Sequence, residues 1–199
     1  MTQTLRRVAV LGGVRIPFCR SNTFYADLSN LEMMTGALNG LVEKFHLQGV
    51  HIDEVVGGAV VTHSRDWNLA REAVLGTELA PSTPGITLMQ ACGTSLQAAL
   101  MIAGKIASGQ IESGIAVGSD TTSDAPVVVS KRLAKRLTEM AQQKSTWDKV
   151  KTLKGFSPAE LIPQPPSVAE PQTGLSMGQH CELMAQEFQI PRAEQDRLA

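Results

Sequence analysis

Three cysteines stand far apart in the chain, and only Cys92 has a setting in which sulfur chemistry is expected. The stretch from Gly85 to Ala91 has extended character. Small residues surround the thiol in Ala91-Cys92-Gly93-Thr94-Ser95, and a helical pattern then runs to Gly109. A cysteine spaced in this way sits where a strand gives way to a helix N-terminus, whose unpaired N–H groups and dipole favour an anion. The thiolate is the form of cysteine that attacks carbonyl carbon. A helix terminus contributes at most ~2 kcal/mol to such an anion, so the thiol is also expected to need a base. Free cysteine is equally a common buried residue, and position alone leaves catalysis and burial balanced. Cys19 and Cys181 lack such a setting and are expected to be buried.

The remaining chemistry-bearing residues point less sharply. His46, His51, His63 and His180 show no metal-ligand spacing. His63 lies just beyond an expected strand, where a loop histidine without function is the simpler reading, and His180 beside Cys181 is no stronger. Gly12-Gly13 and Gly57-Gly58 lack the G-x-G-x-x-G spacing of a dinucleotide site. Lys131, Arg132, Lys135, Arg136, Lys144, Lys149, Lys151 and Lys154 accompany Leu133, Leu137 and Met140 at helical spacing. This predicts an amphipathic helix with a solvated basic face; capture of a phosphate-bearing ligand, an acidic partner or anionic lipid are the functional alternatives.

The elements that would position Cys92 follow from periodicity. Val8–Val14 with Ile16-Pro17 reads as a buried strand closed by Gly-Gly and proline. Leu31, Met34, Leu38, Leu41, Val42 and Phe45 predict a helix over 29–46. Strands are expected at 53–61, 85–91 and 114–118, with a short helix over 68–76. The helix after Cys92 carries Leu96, Ala99, Leu100, Met101, Ile102, Ala103, Ile106 and Ala107. It is apolar on every side and calls for protein on both of its faces. Such alternation implies an α/β fold with a mostly parallel sheet. After Ser119 the texture changes. A polar loop and the basic segment precede a stretch with Pro158, Pro163, Pro165, Pro166 and Pro171 that rules out continuous helix or sheet. A helix is expected to resume over 177–188, with Pro191 in the first turn of another.

With 199 residues the chain can bury a core. A net charge of −1 gives no whole-protein reason to expect nucleic acid. An odd number of scattered cysteines suits a reducing compartment. No leader-like apolar core follows Met1, and no run is long enough to span a bilayer, so a cytoplasmic location is expected.

Several motifs, in one order, resemble the thiolase family along the whole chain. Arg15-Ile16-Pro17 is similar to its R-T-P, and Ala70-Arg71 to an A-R pair ahead of the nucleophile. Cys92 with Ser95 and Ala98 resembles the nucleophile motif. Gly118-Ser119-Asp120 with Ser123 and Ala125-Pro126 resembles the G-G-x-E-x-M-S-x-x-P stretch, and Gly174-Leu175-Ser176-Met177-Gly178 the Met-Gly turn beside the acyl-CoA pocket. The Cys92-Gly93-Thr94-Ser95 form, the basic helix and the Pro-Pro stretch resemble the branch found in fatty-acid-oxidation complexes.

The resemblance implies a thiolase-like N-terminal βαβαβαβ unit over 1–119, an inserted loop domain over 120–178, and helices returning to the core over 179–199. It implies that Cys92 attacks the ketone of a 3-ketoacyl-CoA, releases acetyl-CoA, and holds the acyl group until a second CoA thiol removes it; the reverse is a Claisen condensation. Met177 would line the acyl pocket. Coenzyme A enters as substrate and no cofactor is implied. A homo-oligomer, with a fatty-acid-oxidation complex as partner, and no metal complete the picture. A family member also has a second half carrying His in G-H-P, Cys in C-x-G and an Asn, none of which occurs here. The chain therefore reads as the N-terminal portion of a thiolase, expected to turn over little or no acyl-CoA alone. A ketoacyl-synthase-like condensing enzyme and a non-catalytic docking or regulatory module are the alternatives.

Overall fold

The computed structural model describes residues 5–164 and 167–199; the expectation that Pro165 and Pro166 interrupt regular structure lies outside them, as does the start of the chain. The chain divides into two compact units between Pro126 and Val127.

The first unit is an α/β layer structure. Helix α1 (Asn30–Phe45) begins at Ser29, whose hydroxyl accepts from the Glu32 N–H while the Glu32 carboxylate accepts from the Ser29 N–H. It ends at His46, which takes the left-handed conformation. Strand β1 (Glu54–Gly58) is buried throughout, as its apolar run predicts. Helix α2 (Leu69–Leu75) is capped by Asn68, β2 is the short run Gly85–Thr87, and α3 (Thr94–Ala107) follows Cys92. Strand β3 (Gly114–Gly118) completes a parallel sheet of order β2-β1-β3.

Alternation along β1 sorts the core. Val55 joins Met34, Leu38 and Val42 of α1 and Ala73 and Val74 of α2 on one face. Val56 meets Ala98 and Ile102 of α3 on the other. Each such fully buried valine contributes about 1.5–3 kcal/mol. Lys105 of α3 donates to both carboxylate oxygens of Glu54 at 2.6 Å, fixing the far end of α3 to the start of β1.

One expectation fails here. Residues 8–14 form no strand and are exposed, Val10 to 92%. An extended segment becomes a strand only beside another, and among the described residues no strand adjoins it. It is held instead by bonds such as Arg6 N–H to the Ala107 carbonyl and Lys44 Nζ to the Gly13 carbonyl. The strand expected first in the βαβαβαβ unit is thus not formed. Helix α3, whose sequence calls for protein on both faces, is covered on one of them: Ala98 and Ile102 are buried, while Leu96 is 67% and Leu100 57% exposed.

The second unit, from Val127, carries the basic helix as α4 (Lys131–Gln142), then α5 (Thr146–Lys151), a 3-10 turn at Pro158–Leu161, α6 (Met177–Glu187) and α7 (Arg192–Leu198). Pro191 is the residue before the last helix rather than within its first turn. Arg136 departs from the solvated-face expectation. Its guanidinium pairs with the buried Glu160 at 2.9 Å and donates to the carbonyls of Thr152, Lys154 and Gly155. That side chain is the bracket of the α4–α5 region.

Candidate active site

Parallel strands deliver their C-terminal ends to one side of a sheet, and ligand crevices of open α/β sheets lie there. The ends of β1 and β3, the turn before α3, α1 and the loop at 14–21 enclose a cavity of ≈ 850 Å³ in the first unit. Cys92 lines it and is exposed, which removes the buried reading of this cysteine.

The turn presenting Cys92 is tightly made. Gly57 accepts from the Leu88 N–H at 2.9 Å, carrying the chain past the end of β2. Ala91 then adopts φ of 44°, a left-handed conformation uncommon outside glycine. The Gly93 N–H donates to the Gln90 carbonyl at 3.0 Å and the Thr94 N–H to the Ala91 carbonyl at 3.2 Å. Gly93 occupies the cap position with no side-chain bond to the helix start. Close approach sets the glycines at the strand ends. A Cβ on Gly58 would meet the Leu88 carbonyl oxygen at 2.0 Å, and one on Gly118 would meet Ser95 Oγ at 2.1 Å.

The loop after β3 forms the opposite rim. The Asp120 carboxylate accepts the Val60 and Val61 N–H groups at 2.7 and 3.0 Å. Ser119 donates to the Asn30 carbonyl at 2.8 Å, and the Ser123 hydroxyl accepts the Asn22 N–H at 2.9 Å. The stretch 119–123 therefore ties together the segment after β1, the first residue of α1 and the turn at Asn22, with Asp120 already engaged by two backbone donors. His63 belongs to this scaffold as well, bonded through Nε2 to the Asp124 carbonyl oxygen at 2.5 Å. It is not among the residues that line the cavity.

The ionisable lining consists of Arg15, Arg20, Cys19, Tyr25, Asp120 and Cys92. Arg15 lies over the Phe18 ring at 4.8 Å. Burial, with Cys19 beside the ring hydroxyl, pushes Tyr25 above the usual tyrosine range. Among the described residues no histidine or lysine lines the cavity.

Cys19 and Cys181 are both exposed, against expectation. The burial tendency of free cysteine is an average over packed interiors. Cys19 falls instead in an irregular loop that faces the same cavity as Cys92. Met177 lies in the second unit and is exposed. It and Gly178 open α6 rather than form a turn. Ser176 caps them by accepting from the Gln179 N–H at 3.3 Å, and Gly174 in the left-handed region turns the chain just before.

Comparison with known proteins agrees with these elements. The family model "Thiolase, N-terminal domain" matches residues 8–199. A 3-ketoacyl-CoA thiolase of Vibrio cholerae serotype O1 (strain ATCC 39541 / Classical Ogawa 395 / O395) is 40% identical over 198 residues, covering 100% of this chain and 46% of that protein. One from Shewanella sp. (strain ANA-3) is 40% identical over 193 residues, 97% of this chain and 44% of its own length. The chain thus spans less than half the length of these relatives. A crystal structure of the Bacillus anthracis acetyl-CoA acetyltransferase superposes with a TM-score of 0.66 at 21% identity, over 89% of this chain and 41% of that one. That likeness is one of fold.

Proposed function

The chain belongs to the thiolase family through its N-terminal domain, and from that premise we propose that Cys92 is an acyl-transfer nucleophile acting on acyl-CoA thioesters. The observation that carries the reading is the exposed thiol at the start of α3, facing a cavity at the C-terminal ends of parallel strands. In the degradative direction Cys92 Sγ attacks the C3 carbonyl of a 3-ketoacyl-CoA. The C2–C3 bond breaks, its electron pair and a proton end on C2 as acetyl-CoA, and the acyl group stays on sulfur as a thioester. A CoA thiol then attacks that thioester, releases the longer acyl-CoA and returns the proton to Cys92. Dividing the cleavage in two is what a covalent nucleophile contributes.

The proton carriers are the missing part. The cavity lining holds no histidine among the described residues, and the relatives are more than twice as long. We infer that the base and its partners lie on polypeptide outside these 199 residues, and that this chain alone gives little or no turnover. The uncovered Leu96 and Leu100 face of α3 supports the same reading, since a complementary half would cover it. Met177, set at a fixed helix start with a free side chain, is the proposed acyl-pocket residue. Names of the relatives support 3-ketoacyl-CoA as substrate, with a fatty-acid-oxidation setting, a homo-oligomer and a cytoplasmic location as parts of the same proposal. Among the described residues no helix is long and apolar enough to cross a membrane.

Product analysis tests the reaction class. With acetoacetyl-CoA the chain is expected to release up to one equivalent of acetyl-CoA and then stall. Release of carbon dioxide from a malonyl thioester would transfer the reading to a ketoacyl-synthase-like condensing enzyme. Neither product, with Cys92 inert to small alkylating reagents, would favour a docking module.

A further inference from the structure

The turn that carries Cys92 holds Ala91 at φ of 44°, a region that a Cβ disfavours. Backbone bonds across the turn, from Gly93 to Gln90 and from Thr94 to Ala91, accompany any tight entry into a helix and do not select this conformation. The side chain of Thr94 does more. Its hydroxyl accepts from the Gln90 N–H at 2.9 Å and donates to the Ala91 carbonyl at 2.7 Å, so one oxygen bridges the two sides of the strained residue. Its methyl group faces the bare end of β1, where a Cβ on Gly58 would lie 3.0 Å away. Thr94 itself is 4% exposed, so its side chain is fixed by packing as well as by these two bonds.

We propose that Thr94 is a positioning residue for Cys92: its hydroxyl locks Ala91 in the left-handed region and so fixes the direction in which Cys92 Sγ leaves the turn, while its methyl registers the helix start against β1. Serine can supply the hydroxyl without the methyl; valine has the shape without the hydroxyl, so the Gln90 N–H loses its Thr94 acceptor and the Ala91 carbonyl keeps only the Thr94 backbone N–H. The proposal rests on the reading of Cys92 as nucleophile, but its test reads the placement of the thiol without acyl chemistry.

The test is the rate of iodoacetamide labelling at each cysteine of the full 199-residue chain, followed by peptide mapping from neutral to alkaline pH. Thr94→Val is expected to slow Cys92 labelling roughly tenfold at neutral pH, the scale of one lost part-buried hydrogen bond. Labelling of Cys19 and Cys181 should be unchanged, as internal references. Thr94→Ser should stay within about twofold of the unaltered chain, because the bridging bonds survive. Unaltered labelling in Thr94→Val, or equal slowing in both variants, would overturn the proposal. Should Thr94→Val not fold, Thr94→Ala is read in the same way; failure of both to fold beside a folded Thr94→Ser would assign the hydroxyl to folding alone and also overturn it. A chain whose Cys92 labels as expected yet takes no acyl group keeps the positioning role and loses the acyl-transfer reading.

Discussion

At Gly58 the obstacle to a side chain is the Leu88 carbonyl oxygen, a backbone atom that cannot rotate away. At Gly118 it is chiefly the Ser95 hydroxyl, which can. Gly58→Ala is therefore expected to cost about 1–3 kcal/mol and Gly118→Ala less, as measured by urea unfolding; equal losses would show that the two strand ends are not packed as described. Asp53 gives a pH signature. Its carboxylate accepts the Glu112 N–H at 2.8 Å and the Ser113 N–H at 3.0 Å, and these bonds hold its pKa below the usual aspartate value. The resulting stability is fully present above the unfolded aspartate value, about 3.9, and is lost as pH falls through the lower folded value. Asp53→Asn should accordingly weaken the protein at neutral pH and flatten the acid limb of its stability profile; parallel limbs would contradict this. At this scale Cys92 was legible because strand, small residues and helix follow one another locally. Cys19 and Thr94 were not, since one depends on where an irregular loop lies and the other on bonds across a turn.

Elements were readable where their information is local. The ends of α1 fall within a residue of expectation because Ser29 and Glu32 form a reciprocal cap and the apolar spacing stops at Phe45. Ser29→Ala should cost about 1 kcal/mol in chemical denaturation, and an unchanged midpoint would show that the cap contributes nothing. The segment 8–14 has the composition of a buried strand, yet a ladder needs a neighbour, and local composition does not say whether one is present. The same reason leaves α3 covered on one face although its sequence suits burial on two. In the second unit, charge alone placed Arg136 among solvent-facing cations. The structure commits it to Glu160 and three backbone carbonyls. Arg136→Met leaves Glu160 buried without its partner and should destabilise that unit by roughly 3 kcal/mol, read from its unfolding transition.

At the scale of the molecule, the thiol, the cavity and the strand ends of a thiolase N-terminal domain are present, and the chain covers less than half of its relatives' length. This pairing predicts a protein that can take an acyl group but not cycle. The most direct measurement is intact mass after incubation with acetyl-CoA, followed by peptide mapping, for the unaltered chain and for Cys92→Ser. The account predicts a single acetyl group on Cys92, absent from the serine variant. No adduct, or one on Cys19 or Cys181 that persists in Cys92→Ser, would contradict it.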